Sequence, residues 1–128
     1  MSEREVLSLK PQALVGYIES NLKLMIIDVR DIDYGEGGVI QSSINVNPMF
    51  FNEAIVNDLL KKAEEQGDSF IVLYCQYGQQ RSVKCAKTMN NVLCNKDSPP
   101  LIQICYLEGG FKAFLSAYHD TKYVEQIW

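Results

Sequence analysis

The chain has 128 residues, enough for one domain with a buried core that needs no disulfide or metal staple. It is 47% hydrophobic and 22% charged with a net charge of -4, which argues against a broad nucleic-acid surface and leaves any anionic substrate to a local attraction. No apolar run approaches the roughly 20 residues that span a bilayer, and Met1-Ser2-Glu3-Arg4-Glu5 lacks the basic-then-apolar plan of a signal peptide, so cytoplasm or nucleus is the expected compartment, with no membrane partner.

In chain order, Val6 to Leu9 reads as a short edge strand. Pro11 suits the first turn of a helix, whose buried side is marked by Leu14, Ile18 and Leu22. Leu24-Met25-Ile26-Ile27-Asp28 is a continuous apolar run, the pattern of a strand covered on both faces. Asp31 to Ser43 is polar and carries Gly35, Gly37 and Gly38, so it reads as a loop. Ile44-Asn45-Val46 is a short strand candidate, and a helix follows from an Asn52 cap to Gln66, ended by Gly67. Its inward positions are Ile55, Val56, Leu59, Leu60 and Ala63.

Phe70-Ile71-Val72-Leu73-Tyr74 reads as the central buried strand, and Val83, Ala86, Met89 and Leu93 carry the spacing of a helix that packs on a sheet. Ile102 to Tyr106 gives another strand, and Phe111 to Tyr118 a last short helix with Phe111, Phe114 and Tyr118 on one side. Strands alternating with helices over about 110 residues imply a single α/β domain with a mostly parallel sheet flanked by helices, its core over about 6–118 and a tail over 119–128.

Between the central strand and its helix lies Cys75-Gln76-Tyr77-Gly78-Gln79-Gln80-Arg81-Ser82. A strand, a tight loop and a helix N-terminus form an anion cradle, because backbone N–H groups converge there and the helix dipole favours negative charge. A cysteine at its mouth is pushed toward thiolate, the reactive form. Arg81 can grip two oxygens of a tetrahedral oxyanion with its planar fork. We read Cys75 as a nucleophile rather than a buried small hydrophobe, and Arg81 as an anion clamp rather than a surface ion-pair partner. Ser82 either caps the helix or hydrogen-bonds the thiolate; the two roles are compatible.

The other cysteines, Cys85, Cys94 and Cys105, form no Cys-x-x-Cys pair with each other or with Cys75, and with His119 the one histidine there is no zinc spacing; no metal is expected. Cys85 is either a helix-buried structural thiol or a resolving thiol for an oxidised Cys75; Cys94 and Cys105 read as inert, and His119 as a surface residue. Glu64-Glu65 reads as a solvated helix face.

Ile26-Ile27-Asp28-Val29-Arg30, Tyr34, Gly38-Val39-Ile40 and Ile44-Asn45-Val46 together resemble the first signature of rhodanese-like domains, and Leu107-Glu108-Gly109-Gly110-Phe111 resembles their C-terminal signature. The active-site cysteine of that fold lies between the two, at the end of the central strand, where Cys75 stands. The Cys-x5-Arg spacing is the length found in the cell-division-cycle phosphatases and the related eukaryotic arsenate reductases, longer than the usual sulfurtransferase loop. The resemblance implies that Cys75 forms a phosphocysteine and that Arg81 clamps the phosphoryl oxygens, with Asp28 and Arg30 supporting the loop from its base. Its departures are Tyr74 and Val39 where histidines are usual, Gln76 and Gln80 where the phosphatase loops carry glutamates, Val29 where those phosphatases carry a resolving cysteine, and a sulfurtransferase-like Gly78.

The resulting expectation is a monomeric, cofactor-free cysteine phosphatase for phosphotyrosine or similar aryl phosphates on a phosphorylated protein. The alternatives are an arsenate reductase that uses glutathione and glutaredoxin, a sulfurtransferase with a Cys75 persulfide, and an inactive binding module. No Trp-Pro-Asp acid loop is present, so a general acid has to be sought among Asp31, Asp33, Glu36 and Asp120. An aryl oxide leaves with less help from an acid than an alkoxide does.

Overall fold

A computed structural model gives the arrangement of residues 5–127. In chain order the elements are β1 (Leu7–Leu9), α1 (Pro11–Glu19), β2 (Leu24–Asp28), β3 (Val39–Ile40), β4 (Ile44–Asn45), a 3₁₀ turn (Pro48–Phe50), α2 (Glu53–Gln66), β5 (Phe70–Tyr74), α3 (Arg81–Cys94), β6 (Gln103–Leu107), α4 (Gly110–Tyr118) and β7 (Val124–Glu125). Five strands form one sheet in the order β1-β6-β5-β2-β4. Every pairing in it is parallel, with Asp28 opposite Tyr74 at the ends of β2 and β5. The architecture is therefore α/β with a parallel central sheet, and β5 lies in its middle.

Alternation along β5 divides the core into two halves. Ile71 and Leu73 face α2 and α3 with Val56, Leu60, Ala86, Met89 and Leu93, whereas Val72 and Tyr74 face α1 and α4 with Leu14, Phe111 and Phe114. Both faces of the strand are dry, which is why its sequence is continuously apolar. Local chemistry fixes the ends of α2: the Asn52 side chain accepts from the Ile55 N–H at 3.0 Å, and Gly67 takes a left-handed conformation with φ of 75°.

Two expectations need correction. α1 ends at Glu19 and Asn21 turns the chain with a φ of 59°, so Leu22 falls outside the helical period and is 41% exposed; the buried side is Pro11, Leu14 and Val15, with Ile18 half-buried. The segment 31–43 is not wholly loop, because β3 lies within it. Beyond α4, β7 pairs antiparallel with β3, Val124 opposite Ile40, and Tyr123 is buried against α4. A two-residue ladder carries too little periodicity to be read from sequence. Among the described residues no helix is long and apolar enough to cross a membrane.

Leu73 is fully buried between β5 and α3, whereas Ile32 is 99% exposed. Leu73→Ala should therefore lower unfolding free energy by about 2–5 kcal/mol, and Ile32→Ala should stay within about 0.5 kcal/mol of wild type. Urea titrations with unchanged slope would check both.

Candidate active site

Adjacent parallel strands deliver their C-terminal ends to the same edge of the sheet, so the segments after β2, β5 and β6 converge there. Tyr74 closes β5, Cys75 follows, and α3 starts at Arg81. The Cys75 sulfur lies 3.2 Å from the Ser82 hydroxyl and accepts the Gly78 N–H at 3.2 Å. The side chain is almost completely buried, at 2% exposure. Burial pushes the thiol pKa up, but the Ser82 hydroxyl and the backbone N–H groups of Ser82, Gly78 and Tyr77 outweigh it, and the net shift is downward.

The Tyr77 and Gly78 N–H groups turn toward the sulfur, while the carbonyls of Cys75 and Gln76 are bound on the other side. Phe111 N–H donates to the Cys75 carbonyl at 2.8 Å and Lys112 N–H to the Gln76 carbonyl at 2.9 Å, so the first turn of α4 takes both acceptors. This contact needs glycine on both sides. A Cβ on Gly78 would stand 2.6 Å from the Gly110 nitrogen, and one on Gly110 would stand 2.6 Å from the Cys75 carbonyl oxygen; both residues have positive φ.

Asp28 and Arg30 form a fully buried ion pair, 2.8 Å between Nη2 and Oδ2. The five guanidinium donors are all engaged: Nε and one Nη2 hydrogen on Asp28, the second on the Gly38 carbonyl, and Nη1 on the Glu36 carbonyl and on Gln76 Oε1. The Nη1 bond to Gln76, 2.9 Å long, ties this pair to the loop, and the Phe111 ring lies 4.5 Å below the guanidinium. Gln76 is accordingly buried, whereas Tyr77, Gln79 and Gln80 are exposed at the mouth.

Arg81 engages partners that the sequence named only as acid candidates. Its guanidinium forks onto Asp33, with Nη1 at 2.7 Å and Nη2 at 2.7 Å, and Nη1 also donates to Asp31 at 2.8 Å. Asp33 raises the Arg81 pKa, and Arg81 in turn holds the Asp33 carboxyl below its usual range. Glu36 contributes its backbone carbonyl to Arg30, and Asp120 lies in the turn after α4 with a φ of 60°. The order of β2 and β5 in the sheet, once known, is the signal that would have brought Asp31 and Asp33 to Arg81. Cys85 is buried in α3, and burial with the Cys75 charge pushes its thiol up to about 11. All four cysteines are free thiols; Cys105 is buried in the sheet core and burial lifts it to about 11 as well.

A family model described as the rhodanese-like domain matches residues 11–117. The chain belongs to the rhodanese-like domain family. Among curated relatives of this rhodanese-like chain is a dual specificity phosphatase, ibp1, of Schizosaccharomyces pombe, 36% identical over 90 residues. That match takes in 67% of this chain and 60% of the relative, so the chain spans less than two thirds of the relative's length. An As-Sb reductase from Leishmania major has a similar structure, with a TM-score of 0.82 and 26% identity, over 92% of this chain and 82% of that one. A yeast protein tyrosine phosphatase of the rhodanese family shares the fold, with a TM-score of 0.80 and 21% identity, over 96% of this chain and 93% of that one.

The Ser82 bond to sulfur gives a direct prediction. In wild type, iodoacetamide should alkylate Cys75 with a pH midpoint below the ordinary thiol value of about 8.5. Ser82→Ala should move that midpoint upward, because it deletes a donor to the thiolate while burial stays; peptide mass spectrometry of Cys75 against pH would check it.

Proposed function

We propose that this rhodanese-like domain is a cysteine-dependent phosphatase for aryl phosphates, phosphotyrosine being the natural protein-borne example. The observation that carries the reading is the buried Cys75 sulfur, whose pKa is lowered by Ser82 and three loop N–H groups within a Cys-x5-Arg loop. The 36% identical relative, named as a dual specificity phosphatase, supports it.

In the proposed reaction the Cys75 thiolate attacks phosphorus in line with the leaving oxygen. The S–P bond forms, the P–O bond breaks, and the aryl oxide departs to take a proton from solvent. Loop amides between Gln76 and Arg81 and the Arg81 guanidinium meet the equatorial oxygens, where charge develops. Water then attacks phosphorus, releases inorganic phosphate and returns the thiolate. Asp33 is ion-paired with Arg81 and has a lowered pKa, so near neutral pH it is a carboxylate and not the proton donor. The scheme draws on no cofactor or metal, because loop amides and Arg81 carry the charge. The low-pKa aryl oxide is the leaving group that such a site can expel unaided.

A second reading is favoured by one specific likeness, that to the Leishmania As-Sb reductase. There Cys75 would attack arsenate, and reduction to arsenite would be balanced by oxidation of Cys75 and glutathione to a mixed disulfide that glutaredoxin and further glutathione reduce. Cys85 is a weak candidate for the resolving thiol in either reading, because its raised pKa keeps it protonated.

Hydrolysis of an aryl phosphate, wild type beside Cys75→Ser, tests the proposal. The variant should lose at least about 10³-fold in kcat/KM and still bind oxyanion; a variant with substantial turnover would contradict it. Arsenite output that depends on added glutathione, from the same preparation, would favour the second reading.

A further inference from the structure

Arg81 is the one loop cation, and two carboxylates hold it. The Asp33 fork and the Asp31 bond are 2.7–2.8 Å long, on side chains 17% and 42% exposed against 29% for Arg81. Exposed ion pairs of this sort contribute little to stability. These two are nonetheless built into the fold, because the segment that carries them is pinned at its far end. Buried Arg30 donates to the carbonyls of Glu36 and Gly38, and the turn between has its own N–H bonds from Glu36 to Asp33 and from Gly38 to Gly35. Arg30 also holds Gln76, so the segment and the loop share one anchor.

The groups that face Arg81 are Asp31 and Asp33 from the segment after β2, Cys75 from the loop, and Lys84 and Cys85 from α3 along the neighbouring groove. Arg30 acts on Asp33 from beneath, with its own charge balanced by Asp28. With Cys75 ionised, three negative charges thus face Arg81, and Lys84 is a second cation farther along the groove. A loop meant to grip an oxyanion tightly would leave its guanidinium less compensated.

We propose that Asp33 and Asp31 are charge-selecting residues that act through Arg81: they hold the guanidinium as a half-neutralised clamp for which an incoming oxyanion must compete. The pair lowers affinity for dianions relative to monoanions and holds the Cys75 thiolate less stabilised than the bare loop would. For a phosphate monoester, whose second pKa is about 6, the site then favours the singly charged form. The substrate part of this inference rests on the phosphatase or arsenate-reductase reading; the thiol part does not.

The test measures Cys75 alkylation by iodoacetamide against pH, by mass spectrometry of the Cys75 peptide, in wild type, Asp33→Asn and Asp31→Asn. Inorganic phosphate and arsenate then serve as protecting ligands. Asp33→Asn should lower the alkylation midpoint and reduce the protecting concentration on the order of tenfold at pH 8, with a smaller effect at pH 5.5. Asp31→Asn makes the same change more weakly, since it removes one bond and leaves the fork, and it guards against local misfolding of the Asp33 variant. A midpoint that is unchanged or raised in both variants, or weaker protection in both, would overturn the proposal and make the carboxylates simple positioning groups. Should the wild type hydrolyse no aryl phosphate, the phosphatase reading fails while the alkylation shift still decides the role of the carboxylates.

Discussion

The Asp28–Arg30 ion pair is the interaction on which the edge of the sheet depends. An arginine with no solvent exposure is costly unless its charge is paired and each donor is satisfied. Here Asp28 takes the charge, and the remaining donors reach two carbonyls of the segment after β2 and the Gln76 side chain of the loop after β5. One residue thereby ties the stretch 28–38 to the loop after β5, 46 residues away in sequence. Phe111 beneath the guanidinium adds the N-terminal turn of α4 as a third segment. Replacing either partner would leave a buried charge alone, which is why such a pair behaves as a single structural unit.

From that anchor the chemistry of the loop follows. α4 binds the carbonyls of Cys75 and Gln76, glycines at 78 and 110 allow the backbones to touch, and the Tyr77 and Gly78 N–H groups face the sulfur. The thiolate is stabilised mainly by these short-range donors and by Ser82. Arg81 is itself paired with Asp31 and Asp33. The sulfur and the Arg81 guanidinium thus have different direct partners: Ser82 and loop N–H groups for the first, Asp31 and Asp33 for the second.

Most of the fold was legible in the sequence, for physical reasons. β2 and β5 are apolar on both faces and announce themselves; α2 is bracketed by an asparagine cap and a glycine stop that act as expected. The loop between β5 and α3 that carries Cys75 was legible from the strand and helix patterns on either side of it, and resemblance pointed to Asp28 and Arg30, which form a buried pair. What escaped were contacts made across strand order. The Arg81–Asp33 fork spans 48 residues and the Arg30–Gln76 bond 46, and no local periodicity encodes either. β3 and β7 are two-residue strands whose pairing depends on where the tail is laid, and Leu22 missed the core because a left-handed Asn21 ended the helical period.

The central claim is that the Cys75 sulfur carries the transferred group, and trapping that group is the most direct measurement. Rapid acid quench of the enzyme turning over an aryl phosphate, followed by peptide mass spectrometry, should find a phosphoryl adduct on the peptide that contains Cys75. The adduct should appear at the rate of aryl release and be absent from Cys75→Ser. Turnover without an adduct on Cys75, or with the adduct on another residue, would contradict the account.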